Sequence, residues 1–182
     1  MEKLKAMIMD DAKVSRSLAR IAHEIIERDE DADEFVVIGI KRRGISLAKE
    51  IAEDIKKFSN IPVISAELDV ALYRDDVVDT PQKSAMKATN LTEKDISDKV
   101  VILVDDVIYT GRTVRAAMDA IVELGRPKAI RFAALIDRGH REFPVKPDFV
   151  GKNVPTSPNE TIRVYVPEYD GEKKAVLNEI VS

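Results

Sequence analysis

The sequence predicts an α/β protein built on a mostly parallel central sheet flanked by helices, and three observations carry that reading. Residues 35–40 and 100–104 are short runs without a polar side chain, as strands buried on both faces must be. Helical periods stand between the strands, the order that parallel pairing requires. The chain has 182 residues against roughly 150 per domain, so one domain spanning 1–182 is expected. In such sheets a ligand sits beyond the carboxyl ends of the strands.

Residues 11–28 read as a helix, with Val14, Leu18, Ile21 and Ile25 at helical spacing and Asp10 or Asp11 able to cap its start. The strand at 35–40 runs into a basic turn, Lys41-Arg42-Arg43-Gly44, and 45–57 resumes the helical period. Residues 62–73 read as a strand, Leu68, Val70 and Leu72 alternating with Glu67, Asp69 and Ala71. From 74 to 98 the apolar period is lost, which marks a lid or a disordered segment. The strand at 100–104 leads into Asp105-Asp106, a Thr110-Gly111 turn and a helix from about Thr113 to Leu124, stopped by Gly125-Arg126-Pro127. Residues 128–136 form another strand. Beyond Asp137 the apolar pieces are short and broken by Pro144, Pro147, Pro155, Pro158 and Pro167.

Composition narrows the chemistry. Without cysteine there is no disulfide scaffold, thiolate zinc site or thiol nucleophile, and two histidines leave little for a His-based metal centre. Apolar runs of six residues or fewer cannot span a bilayer, and the first residues are too polar for a signal peptide, so a cytoplasmic protein without membrane contact is expected. The net charge of −4 argues against a surface coated by nucleic acid but leaves room for a local basic face. Aromatic residues make up only 5% and Trp is absent, a poor basis for a single-strand stacking platform.

The sharpest signal is the run from Val101 to Thr113, VILVDDVIYTGRT. A buried strand delivers two carboxylates to the sheet edge, and a Thr-Gly-Arg-Thr turn then opens a helix. Helix N-termini carry unpaired amides that favour an anion. Gly111 permits close backbone approach, while Thr110 and Thr113 offer hydroxyls. One end therefore suits a phosphate and the other suits sugar hydroxyls or magnesium, a combination met in a sugar phosphate. Three plainer patterns share parts of this run. A Walker B strand lacks its partner, since no G-x-x-x-x-G-K-[ST] loop is present. A receiver domain needs more chain than follows Asp105. A solvated strand edge would explain the Asp pair but not the turn behind it.

This run resembles the phosphoribosyl diphosphate (PRPP) binding motif of type I phosphoribosyltransferases. The resemblance extends nearly end to end to the PyrR family, bifunctional pyrimidine-operon attenuation proteins and uracil phosphoribosyltransferases. It is carried by residues 20–24, 39–45, 73–76, 125–127, 137–142 and 151–157 together with the motif. It implies the type I phosphoribosyltransferase fold, with a small hood and a flexible flap at about 74–98, and conversion of uracil and PRPP to UMP and diphosphate with substrate-carried Mg2+. Asp105 and Asp106 would hold the ribose hydroxyls and face the positive charge developing at the anomeric carbon. Thr110, Gly111, Arg112 and Thr113 would bind the 5′-phosphate. Lys41, Arg42, Arg43 and Gly44 would cradle diphosphate; many relatives carry a small hydroxyl residue where this chain has Arg42. Arg74, at the root of the flap, would reach diphosphate and act in catalysis. The loop Asp137-Arg138-Gly139 would supply backbone groups to the edge of the base, with Arg138 covering its face.

Arg16, Arg20 and His23 share one side of the first helix, together with Glu27. Alone this reads as a solvated helix face. The resemblance implies a basic surface, shared across a homodimer or higher homo-oligomer, that binds a hairpin in pyrimidine-operon leader RNA under control of UMP. Matching positions are Arg16, Arg20, His23, Arg28, His140, Arg141, Lys146 and Lys152, and Ala19 replaces a Thr of better-known relatives. Two alternatives stay open: an RNA-binding attenuator whose site only senses nucleotide, and a purine-base phosphoribosyltransferase without an RNA role.

Overall fold

Five strands form a parallel sheet in the order β3-β2-β4-β5-β6, made of β2 (Phe35–Ile40), β3 (Val63–Leu68), β4 (Val100–Ile108), β5 (Ala129–Asp137) and β6 (Phe149–Asn153). The computed structural model describes residues 2–73, 85 and 88–181. Alternation along the strands splits their side chains between two cores. Phe35 and Val37 of β2 and Val100, Ile102 and Val104 of β4 pack with helices α1 (Asp11–Arg28) and α2 (Arg43–Phe58). Val36, Ile38 and Ile40 of β2 and Val101 and Leu103 of β4 face the other way, onto α4 (Arg112–Leu124). Burial on both faces explains why these strands read as unbroken apolar runs. Each fully buried Val or Ile contributes about 1.5–3 kcal/mol.

The helix over 11–28 forms as its spacing predicts, and Asp10 accepts the Lys13 amide at 2.8 Å to cap it. Among the described residues no helix is long and apolar enough to cross a membrane.

A second, antiparallel sheet of β1 (Glu2–Met9), β8 (Lys174–Ile180) and β7 (Glu160–Tyr165), with the short helix α5 (Pro167–Asp170), forms a hood. Sequence patterning did not reveal β1. Its register shifts between Leu4 and Ala6 and again between Met7 and Met9, which breaks the two-residue period. Other departures are local. The strand expected over 62–73 ends at Leu68, because Asp69 accepts the Ala71 amide at 3.0 Å and turns 70–73 into one 3-10 turn. Part of the stretch expected as a flap over 74–98 is packed. Ala85, Ala88, Leu91 and Ile96 are buried, the Asp69 amide donates to Ala88 O at 2.8 Å, and α3 (Glu93–Ile96) opens with Asp95 accepting both the amide and hydroxyl of Thr92 at 2.7 Å. These apolar residues plug the β3 side of the α4 core, although their spacing fits neither a helix nor a strand. Residues 74–84, 86 and 87, and with them Arg74, lie outside the described residues.

Candidate active site

Strand order sets the place. From β2 the chain crosses to β3 on one side, and from β4 to β5 on the other, so the sheet reverses direction between β2 and β4. A crevice opens at such a point beyond the strands' carboxyl ends. Pairing of β2 with β4 stops at Gly39 and Val104, while β4 continues through Asp105 to Ile108 against β5 alone. Asp105 and Asp106 therefore enter the crevice on a strand braced from one side. The strand signal had ended at Val104 because apolar character ended there; pairing with β5 carries it four residues further.

The two carboxyls are crowded. Asp105 accepts the Asp106 amide at 2.9 Å, and Asp106 accepts the Val107 amide at 2.8 Å. Burial, and then the charge of Asp106, push Asp105 well above the usual carboxylate range. Burial also raises Asp106, against the opposing pull of hydrogen bonds from Asp105 and the Val107 amide and of the Arg43 charge. Desolvated like charges in a cleft are costly, and such groups concentrate at functional sites.

Behind them, Gly111 adopts a φ of +91°, a conformation that side chains other than glycine's resist, and begins α4. Gly111 has no side chain to cap the helix, which leaves first-turn amides to other acceptors. The Thr110 hydroxyl accepts the Arg112 amide at 3.3 Å. Asp105, Thr110, Gly111 and Thr113 line a cleft of about 130 Å³. The Arg112 guanidinium turns out of this cleft: it pairs with Glu142 at 2.6 Å and lies 5.2 Å from the Phe143 ring centre. Only its amide stands at the turn.

Across the crevice, the basic turn lies flat against the end of β4. A Cβ on Gly44 would come within 2.6 Å of the Val104 carbonyl oxygen and 3.5 Å of Asp105 Oδ1. The Lys41–Arg42 peptide is cis. Two of the three cations already have carboxylate partners. Lys41 meets Asp69 at 3.2 Å, and Arg43 makes a two-pronged contact with Asp170 of the hood at 3.1 and 2.8 Å. Asp170 also accepts the Val166 amide at 2.9 Å, and its hydrogen bond with Arg43 holds its carboxyl below the ordinary value. Arg42 is exposed and has no ion-pair partner among the described residues. Neither Asp69 nor Asp170 was marked by the sequence, since each reaches the turn through tertiary folding alone. Among the described residues no group of three or more His, Asp or Glu side chains gathers to hold a metal.

The loop after β5 is internally committed. Asp137 accepts from the Arg141 guanidinium at 2.5 Å and from the Gly139 amide at 2.9 Å. Arg138, only 8% exposed, donates to Thr156 Oγ1 at 3.0 Å and to the Glu160 carbonyl at 2.7 Å. Its guanidinium carbon lies 4.0 Å from the centre of the Tyr109 ring. The face that Arg138 covers is thus Tyr109, a residue the sequence had not singled out.

Of the basic residues, Arg16, Arg20 and Lys152 meet at a groove of about 360 Å³ between α1, β1 and β6, joined by Lys13. Lys13, three residues before Arg16, was legible as part of the same helix face but not selected. Arg20 is held by Glu24 at 2.6 Å and by the Val150 and Gly151 carbonyls at 3.0 and 2.8 Å. His23 stacks on Phe58 with ring centres 4.0 Å apart, and Arg28 pairs with Asp148 at 3.1 Å. His140 and Arg141 stand elsewhere, near Tyr109: His140 Nε2 is 2.6 Å from the Thr156 carbonyl, and Arg141 donates to the Tyr109 carbonyl at 2.9 Å. Lys146 is exposed.

Residues 6–168 match the phosphoribosyl transferase domain family. The chain is similar to the bifunctional protein PyrR of Thermoanaerobacter sp. (strain X514), 51% identical over 177 residues that cover 97% of this chain and 99% of that protein. It is 47% identical over 175 residues to the bifunctional protein PyrR of Clostridioides difficile (strain 630), covering 96% and 98%. Among solved structures, a hypoxanthine-guanine phosphoribosyltransferase from Bacillus anthracis superposes with a TM-score of 0.70 at 19% identity over 100% of both chains. The hypoxanthine phosphoribosyltransferase of Trypanosoma cruzi gives 0.72 at 16% identity over 97% of each. These two structures bear on the fold.

Proposed function

The chain belongs to the phosphoribosyltransferase family, and within it to the PyrR proteins; from that premise we propose that it converts uracil and PRPP to UMP and diphosphate and uses UMP-dependent binding of leader RNA to attenuate pyrimidine-operon transcription. One observation supports the catalytic half above all. A crowded, half-buried Asp pair lies between a helix start and a basic turn, all at the reversal point of the sheet. In the reaction the bond from C1′ to a diphosphate oxygen breaks, a bond from C1′ to a uracil ring nitrogen forms, and that nitrogen releases its proton. Positive charge develops on the ribose between these events. Asp105 and Asp106 would hold the two ribose hydroxyls and place negative charge beside it, so stabilisation is electrostatic and positional. The 5′-phosphate would take the amides and hydroxyls at 110–113, and diphosphate the turn at 41–44. The diphosphate would carry magnesium, which would supply partial neutralisation of its charge; an ion that keeps several waters and substrate oxygens needs no cage of protein ligands.

Rates of diphosphate release with uracil, hypoxanthine, guanine and adenine as acceptors test this reading. Turnover with uracil alone is expected; turnover with a purine, or with no base, would sink it. The purine alternative draws no support beyond a shared fold.

For the regulatory half, the groove that joins Lys13, Arg16, Arg20 and Lys152 is the supporting observation. It would take RNA phosphates, in a cytoplasmic protein acting as a homodimer or larger assembly. Binding to a leader hairpin should weaken steeply with salt and tighten with UMP. A titration indifferent to both would remove this half.

A further inference from the structure

Displacement at C1′ sets a direction. The entering nitrogen approaches from the side opposite the departing oxygen, because reacting orbitals must align. Strand order then decides where the base comes from. The turn at 41–44 follows β2, on one side of β4, so the base enters on the other side, where β5 lies. The groups available there are Tyr109 and the loop after β5. Asp137 is bound to Arg141 and the Gly139 amide, and Arg138 is buried and bound to Thr156 and the Glu160 carbonyl. Tyr109 keeps free surface, being 42% exposed although one ring face is covered by Arg138, and among the described residues of this side it is the aromatic ring set beside the phosphate turn; His140, also exposed, stands next to it. The His140 ring centre lies 5.7 Å from that of Tyr109, with the two planes at 66°.

We infer that Tyr109 determines how the base is held: its ring, backed by Arg138, is the wall against which uracil packs. Arg138 is tethered to the start of β7, so the ring is fixed before the ligand arrives. Fixing the ring beforehand lowers the ordering cost of binding. Tyr109 also adjoins Thr110 and Gly111 in sequence, one residue from the expected phosphate turn. A base stacked on it belongs to the same nucleotide whose phosphate that turn would hold.

The inference rests on the uracil-transfer reading, and one set of measurements separates their fates. Steady-state kinetics with uracil and PRPP are compared for the wild type, Tyr109→Leu and Tyr109→Phe, with calorimetric titration of UMP and of ribose 5-phosphate. Tyr109→Leu is expected to raise KM for uracil and to weaken UMP by about tenfold, the scale of a lost base–aromatic stack. KM for PRPP and the affinity for ribose 5-phosphate, which has no base to stack, should stay near wild type. Tyr109→Phe keeps the ring and should bring uracil KM most of the way back. An unchanged uracil KM in Tyr109→Leu overturns the inference and leaves uracil transfer standing. So does an equal loss of ribose 5-phosphate binding, which would mark a disturbed turn. Weaker hairpin binding with unaltered uracil kinetics would assign the ring to RNA instead, and also overturn it. A wild type that makes no UMP removes the premise and the inference together.

Discussion

The two ends of the crevice present different donors, and would receive anions by different means. At the 110–113 end the donors are backbone amides, displayed by a left-handed glycine at a helix start, and among the described residues no carboxylate accepts from them. At the 41–44 end the donors are side chains, and Asp69 and Asp170 already neutralise two of the three cations. Backbone donors cannot swing away and carry only partial charge. Lysine and arginine side chains carry full charge but need partners when the site is empty. The phosphate end would therefore bind by filling a ready-made seat. The diphosphate end would bind by exchange, its ligand displacing carboxylates.

The strongest probe of this comparison is the Asp pair between the ends. Asp105→Asn and Asp106→Asn are expected to lower kcat with uracil and PRPP by about 10²–10³-fold, the scale of losing one group aimed at transition-state charge. A loss under about tenfold in both would deny the pair its electrostatic role. Next comes the ready-made seat. Gly111→Ala would have to hold φ near +91°, at a cost of about 1–2 kcal/mol, and should weaken UMP by about five- to thirtyfold while diphosphate inhibition stays unchanged. If both ligands weaken alike, the ends are not independent. Smaller is the exchange effect. Asp170→Asn frees Arg43 of its counterion and should tighten diphosphate inhibition by about two- to fivefold, the scale of a part-exposed ion pair, leaving UMP unmoved. Weaker inhibition would mean that Asp170 orients Arg43 and does not compete for it.

The smallest effect concerns stability. Burial and Asp106 make Asp105 hold its proton more tightly in the folded chain than in the unfolded one. Folding then takes up a proton between the ordinary carboxylate range and the raised value. Stability from this group is present on the acid side and lost as pH rises through the raised value. Asp105→Asn, which cannot ionise, should raise Tm on the alkaline side of the raised value, as thermal melts across pH would read. The gain should fade as pH approaches about 4, where the unfolded carboxyl also protonates. A gain that persists there would point to packing instead of charge.

How much of this was legible depended on the range of the physics. The alternation of apolar strands and helices is local, and it revealed the sheet and the approach of Asp105 and Asp106 to its carboxyl edge, though not that β4 runs on to Ile108. The Thr110–Thr113 turn was legible for the same reason: its chemistry lies within four consecutive residues. Asp170 reaches Arg43 across 127 residues of sequence, and no local pattern announces that. Arg138 shows the opposite case. Its charge and position after a strand suggested a ligand contact, but burial under Tyr109 and two hydrogen bonds had already claimed it. Chain pattern tells which groups arrive at an edge; only packing tells which of them are still free. The family resemblance compensated for part of this, since it carried function where spacing alone left a solvated helix face.

The hood joins β1 to β8, with Met9 paired to Ala175 across most of the described chain. On a translating ribosome at about 5–20 residues per second, β1 waits roughly 8–33 s for its partner. All strands of the parallel sheet emerge in that interval, the last ending at Asn153. The crevice floor can thus be finished while its roof is still missing. Until then the nascent chain carries an unmated strand bearing Leu4 and Met7, both largely exposed even in the completed fold, and that strand is the molecule's point of risk for adhesion between chains during synthesis.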